Sequence, residues 1–230
     1  MRGLPSCEGY DAHHPQRIDF YGNYHKAIRR ALFELSARAG LLDYAHDRDG
    51  LARLIVEFER VARALREHGT HEDAYMHPLL RRYAPEVLEP MERQHGTLDP
   101  ALDALEQQLR AVASPADGMQ FYAALNRFIG AYLEHLADEE EVANPVLWER
   151  CPHDEMQEAV MRFRASFALE QVASSFEFML PALNGAERAD LYKSVRDNAP
   201  QSVFDTLLGV AQKTLAAADY DELRQRLAPC

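Results

Sequence analysis

Two stretches of eleven residues carry the groups best able to do chemistry, HGTHEDAYMHP at 68–78 and HLADEEEVANP at 135–145. Aligned without a gap, both read H-x-x-x-E-x-x-x-x-x-P. In an α-helix, residues four apart differ by about 40° in rotation and one turn in rise. His68 with Glu72, and His135 with Glu139, can therefore each aim an imidazole and a carboxylate at one point, which is chelating geometry for a metal ion. A single such pair is usually a solvated ion pair contributing roughly a few tenths of a kcal/mol. The gapless repetition is what makes a site of it. The proline six residues after each glutamate must kink or end its helix, so both helices lose regularity at the same distance from the pair.

Two chelating pairs need further ligands, and His25 and His95 fall on two other helical segments. His25, His68, Glu72, His95, His135 and Glu139 together make four imidazoles and two carboxylates. That set is too large for one tetrahedral ion and natural for two ions bridged by the glutamates. Imidazole with carboxylate suits iron, manganese or zinc, with iron the first choice; copper(I) and iron–sulfur clusters need sulfur. Asp73, Asp138, Glu140 and Glu141 read as a solvated acidic face. His71 lies about 60° off the His68 ridge and reads as a supporting residue, whereas His77 points roughly opposite to His68 and is left out. Tyr21 and Tyr132, one turn before His25 and His135, border the cavity or pack the core. His13, His14, His46 and His153 sit in loop-like contexts and read as surface residues.

Other metal motifs fit less well. The H-E-x-x-H pattern of zinc proteases would need a second histidine at Ala74 or Tyr75, which rejects that class. Ferritin-like carboxylate centres use E-x-x-H on two helices, and the chain offers the spacing only at Glu92–His95, a weak second reading.

The elements that must position these residues are helices, because apolar residues recur at three- and four-residue spacing and alternating β-branched runs are missing. The first is expected over about Phe20–Leu41, and the second from about Leu51 to the proline at 78 or a turn beyond. The third starts near Pro85, with a kink or break expected at Gly96 and Pro100. The fourth opens on Ser114 as N-cap with Pro115 and Asp117 in its first turn. Four long helices with short joints make an all-α, antiparallel four-helix bundle. Beyond Cys151-Pro152 one long helix over about Asp154–Leu180 and then shorter ones are expected, with capping pairs at Asn184/Glu187 and Asp219/Glu222.

The 230 residues, 47% of them hydrophobic and 27% charged, can bury a real core. A formal net charge of -12 without a basic block favours neither nucleic acid nor an anionic membrane surface as partner. Cys7, Cys151 and Cys230 are odd in number and far apart, which gives no disulfide framework and fits a reducing cytoplasm. The opening residues lack the apolar run of a signal peptide, and no stretch has the uncharged length of a membrane span.

The order H, H-x-x-x-E, H, H-x-x-x-E on successive helices resembles the hemerythrin-like family over about residues 16–150. The resemblance implies a bundle enclosing two non-haem iron ions with an oxo or carboxylate bridge, zinc or manganese being the other candidate metals. It further implies binding or sensing of oxygen, iron or a related small ligand, or defence against nitric oxide and peroxide. His25 matches the first-helix ligand, His68 and Glu72 the second-helix pair, His95 the third-helix histidine, and His135 with Glu139 the last pair. Oxygen carriers of the family place a second histidine where Met91 stands, so the resemblance departs from simple oxygen carriage. They also set the last carboxylate at the position of Glu140; helical geometry prefers Glu139, with Glu140 in reserve and Glu92 as a substitute beside Met91.

Three functions follow: a non-enzymatic metalloprotein for oxygen, iron or a small ligand, which leads; a di-iron redox enzyme acting on peroxide or nitric oxide; and a metal-regulated helical interaction module. In the last, residues 151–230 form a helical extension to the bundle of 16–150 and offer a surface for self-association or a protein partner.

Overall fold

The computed structural model describes residues 17–228, so His13, His14, Cys7 and Cys230 lie outside the described residues. It is all-α, an antiparallel bundle of α1 (Gly22–Leu41), α2 (Arg48–His71), α4 (Pro85–Arg110) and α5 (Pro115–Asp138), with the short α3 (His77–Tyr83) and α6 (Asn144–Arg150) after the second and fourth members. Four further helices, α7 (His153–Ala165), α8 (Leu169–Met179), α9 (Gly185–Asn198) and α10 (Gln201–Thr214), precede the last, α11 (Ala217–Leu227). Among the described residues no helix is long and apolar enough to cross a membrane.

Sequence-local chemistry starts the bundle helices. The Asp47 carboxylate accepts from the Gly50 amide at 2.7 Å and caps α2, while Ser114 and Asp117 form the reciprocal capping box of α5. Of the kink or break expected at Gly96 and Pro100, the break is absent: α4 runs unbroken through Pro90, Gly96 and Pro100. Proline inside a helix costs about 3 kcal/mol. Leu98, Leu102, Leu105 and Leu109, all buried on one face of α4, each contribute about 1.5–3 kcal/mol and outweigh it. Gly96, four residues before Pro100, also offers a residue without Cβ where the proline ring crowds the helix.

The two prolines of the repeated motif act as the sequence requires, in matched form. Glu72–Met76 and Glu139–Ala143 are single π turns, closed by bonds from the His77 amide to the Glu72 carbonyl and from the Asn144 amide to the Glu139 carbonyl. Pro78 and Pro145 follow at once; each has no N–H to give and crowds the carbonyl one turn back, so the helix opens by one residue there.

Two apolar layers enclose the level of these π turns. One fills the bundle body with Ile28, Leu65, Leu98, Phe121, Tyr132 and Leu136 among others. The other closes the end with Leu79, Leu80, Leu88, Met91 and Leu147, joined by Met156 and Ala159 of α7. A third core, Phe176, Leu180, Tyr192, Leu207 and Leu223, holds α8–α11 together. It meets α1 where Phe178 packs on Tyr24 with ring centroids 5.5 Å apart and where Lys26 pairs with Glu187.

The chain after Cys151 departs from expectation twice. The single helix over 154–180 is two, because Ser166 turns back to the Phe163 carbonyl through both its amide and its hydroxyl, and Ala168 is extended with its amide held by Gln171. Asn184 and Glu187 do form a capping box. Asp219 and Glu222 do not, since α11 starts earlier, after Ala216, and the two acids pair instead with Arg188 and Arg226.

Candidate metal centre

Between the two apolar layers the bundle turns polar, and the side chains there come from all four long helices. On the α2 side His68 Nε2 lies 2.9 Å from Glu72 Oε1; on the α5 side His135 Nε2 lies 3.3 Å from Glu139 Oε1. The other helices complete a cross. His25 of α1 places Nε2 3.0 Å from His68 Nε2 and 3.4 Å from Glu139 Oε2. His95 of α4 places Nε2 3.0 Å from His135 Nε2 and 3.3 Å from Glu72 Oε2. Each glutamate thus turns one oxygen to the histidine on its own segment and the other to the opposite pair. The result is two groups, His25, His68, Glu72 and Glu139, and Glu72, His95, His135 and Glu139, with the donor atoms of each within 4.8 Å of one another.

The donor set fits metal ions on an independent observation. Glu72 and Glu139 are fully buried, yet none of their four carboxylate oxygens has a hydrogen-bond partner. The 2.9 Å approach of His68 to Glu72 therefore lacks the alignment of a hydrogen bond. Burying a carboxylate without a partner costs several kcal/mol, which a bound cation offsets. Two nitrogens at right angles on one ion, each at about 2.1 Å, stand about 3.0 Å apart, which is the spacing of both imidazole pairs.

Electrostatics point the same way. Burial, and next the charge of Glu72, push the Glu139 carboxyl well above the usual range. Burial pushes Glu72 upward too, but the His68 and His95 imidazoles hold its net direction well below that range. Burial lowers His25 below the ordinary imidazole value and His135 to about 3. Neutral imidazoles keep their lone pairs for a metal. At His95 burial also acts downward, but the nearby Glu72 carboxylate outweighs it and the net direction is up.

A second layer of residues orients the ring nitrogens that face away from the centre. His25 Nδ1 lies 2.8 Å from Glu140 Oε1, and Arg29 grips both oxygens of Glu140 at 2.6 and 2.9 Å. His135 Nδ1 lies 3.0 Å from Gln94 Oε1, and the Gln94 amide donates to Asp138 at 2.6 Å. Tyr21 and Tyr132, both buried, wall the pocket with rings 5.1 Å and 5.6 Å from those of His25 and His135. Tyr24 stacks on His68 at 5.4 Å.

The two spaced pairs and the two histidines added to them, His25 and His95, all converge on this pocket, while several neighbours fall elsewhere than the sequence suggests. Glu140 supports His25 from outside the two groups. Glu92 is exposed and pairs with Arg81. Met91 lies in the apolar layer at the bundle end. His71 does not support the centre; its ring packs on Phe163 and Phe167 at 5.3 and 4.8 Å. His77, set aside as pointing away, is buried with its ring 5.4 Å from that of His95. The π turn advances fewer degrees per residue than an α turn, so the residues beyond it are set back around the axis. Arg29 and Gln94 carry no signal in the motif; Arg29 is detectable only as the residue one turn after His25, on the same ridge.

No curated protein and no solved structure gives a significant match to the chain. The family of the hemerythrin HHE cation binding domain matches residues 17–147, the span that supplies every residue of the two groups. The chain is therefore a member of the hemerythrin HHE cation-binding family, and its paired histidine and glutamate groups are suited to hold metal ions.

Proposed function

We propose that His25, His68, Glu72, His95, His135 and Glu139 ligate two non-haem iron ions and that the protein binds or senses oxygen or a similarly small ligand there. The observation that carries this reading is the set of four unpartnered carboxylate oxygens surrounded by four imidazoles. Two glutamates common to both groups and two histidines in each would suit iron, with manganese or zinc as the chemical neighbours. When bound, such a pair of ions supplies open coordination positions and, as iron, one-electron chemistry.

The protein's own part is to orient and to exclude. Glu140 with Arg29 fixes the ring of His25, Gln94 fixes that of His135, and partners of this kind raise the basicity of a ligating imidazole. The apolar layers and the two buried tyrosines keep water out. Burial this complete excludes molecules of more than a few atoms, which favours a small-ligand protein over an enzyme for organic substrates. We assign the metal-binding unit to residues 16–150 and read 151–230 as a helical extension, since α8–α11 have a core of their own.

Metal analysis of protein purified from its own host, with visible spectra taken anaerobically and after oxygen, tests the reading. About two irons per chain and a spectrum that changes with oxygen support it; a folded protein that holds no metal overturns it. Turnover of peroxide or nitric oxide above that of free iron would move the function to a redox enzyme on the same site.

A further inference from the structure

The six residues leave unexplained how a hydrated ion reaches them. Five have side chains no more than 6% exposed, while that of His95 is 15% exposed. His95 also has two working faces. Its Nε2 turns inward to Glu72 and His135, and its Nδ1 turns outward to Asp73 Oδ1 at 4.0 Å. The same Asp73 oxygen lies 2.8 Å from Nδ1 of His77, whose side chain is 2% exposed. Asp73, His77 and His95 thus bring a carboxylate and two imidazoles within 4.8 Å of one another, beside the centre and outside it. By contrast, the outer nitrogens of His25 and His135 are engaged by Glu140 and Gln94.

We propose that Asp73, His77 and the outer nitrogen of His95 form a loading site that captures a divalent first-row cation on its way to the buried centre. The proposal rests on reading that centre as metal-binding. Asp73, 66% exposed, meets the hydrated ion first, and the imidazoles then replace water; two imidazoles and a carboxylate select iron, manganese or zinc over magnesium or calcium. Binding through His77 Nδ1 displaces any proton on that nitrogen, to solvent or to Nε2 of the same ring. Gly69 keeps the approach open: a Cβ there would stand 3.8 Å from His95 Cε1 and 4.0 Å from Nδ1. A side chain at 69 would lie across the edge the ion must pass.

The test uses the full chain stripped of metal and mixed anaerobically with ferrous iron alone, following both the uptake rate and the final metal content. Asp73→Asn, at an exposed position, should slow uptake about tenfold, the lower end of what a focusing charge contributes to an association rate, with unchanged content at equilibrium. Gly69→Leu should slow it comparably with Asp73 intact. Uptake at the wild-type rate in both variants overturns the loading site. So does a loss of equilibrium content matching the loss of rate, which would make Asp73 and His77 mere supports of His95. A wild-type protein that takes up no iron overturns the reading of the centre itself.

Discussion

Glu140 and Glu139 are adjacent in sequence and face opposite ways: Glu139 turns into the pocket, within 3.4 Å of His25 Nε2, while Glu140 holds the far side of the same ring at 2.8 Å. One imidazole is therefore gripped from both sides, and Arg29 anchors the outer grip. Glu140→Gln keeps the shape and removes the charge that Arg29 and His25 share. We expect metal affinity to fall about 10–100-fold and the metal-free protein to lose roughly 1–3 kcal/mol, by metal titration and urea unfolding. Wild-type values in both measurements would remove Glu140 from this role.

Glu139→Gln should separate function from stability. The carboxyl of Glu139 is buried beside that of Glu72 with no hydrogen-bond partner for either of its oxygens, an arrangement that destabilises the fold and suits a cation. In the presence of a chelator, Glu139→Gln should be more stable than wild type by about 1–3 kcal/mol. It should also lose most of its metal content. A variant that is less stable in chelator would show that the glutamate serves packing first.

The sequence makes the centre legible because four of its six residues, His68, Glu72, His135 and Glu139, obey helical spacing and recur as a pair of identical patterns, while His25 and His95 follow only as histidines on the two remaining bundle helices. What it hides depends on departures from that spacing. The π turn at Glu72–Met76 moves His77 from the far face to the side of His95, and no count at 100° per residue anticipates that. Gln94 and Asp138 act on His135 through a contact between α4 and α5, a tertiary relation with no local signature. The unbroken α4 and the divided helix after residue 153 fail for a related reason. Burial on one face overrides Pro100, while two short polar bonds at Ser166 and Gln171 end a segment whose apolar period continues.

Gly118 sets the spacing of the bundle end away from the pocket. A Cβ at this position would fall 2.2 Å from Cγ of Tyr44, whose buried hydroxyl donates to the Ala39 carbonyl at 3.0 Å. The ring has no room to retreat without giving up that bond. Gly118→Ala, which ordinarily helps a helix by up to about 1 kcal/mol, should here cost on the order of 1–3 kcal/mol or more. Thermal unfolding decides the sign, and a stabilised variant would mean that Tyr44 repacks freely.

Metal binding and folding should be one equilibrium in this protein, because the pocket brings together carboxylates that repel in the absence of an ion and ligands that converge only once all four helices have docked. An ion that binds the folded chain alone adds about 2.7 kcal/mol at a hundred times its Kd. For a chain of 230 residues that corresponds to a rise in Tm of about 5–10 °C. Ferrous iron under anaerobic conditions should produce this rise and a chelator should reverse it. His68→Ala with His135→Ala removes one imidazole from each group, so the double variant should melt at the same temperature with and without iron. A wild-type Tm indifferent to iron, manganese and zinc alike would mean that the unpartnered glutamate oxygens are tolerated for some reason other than a metal.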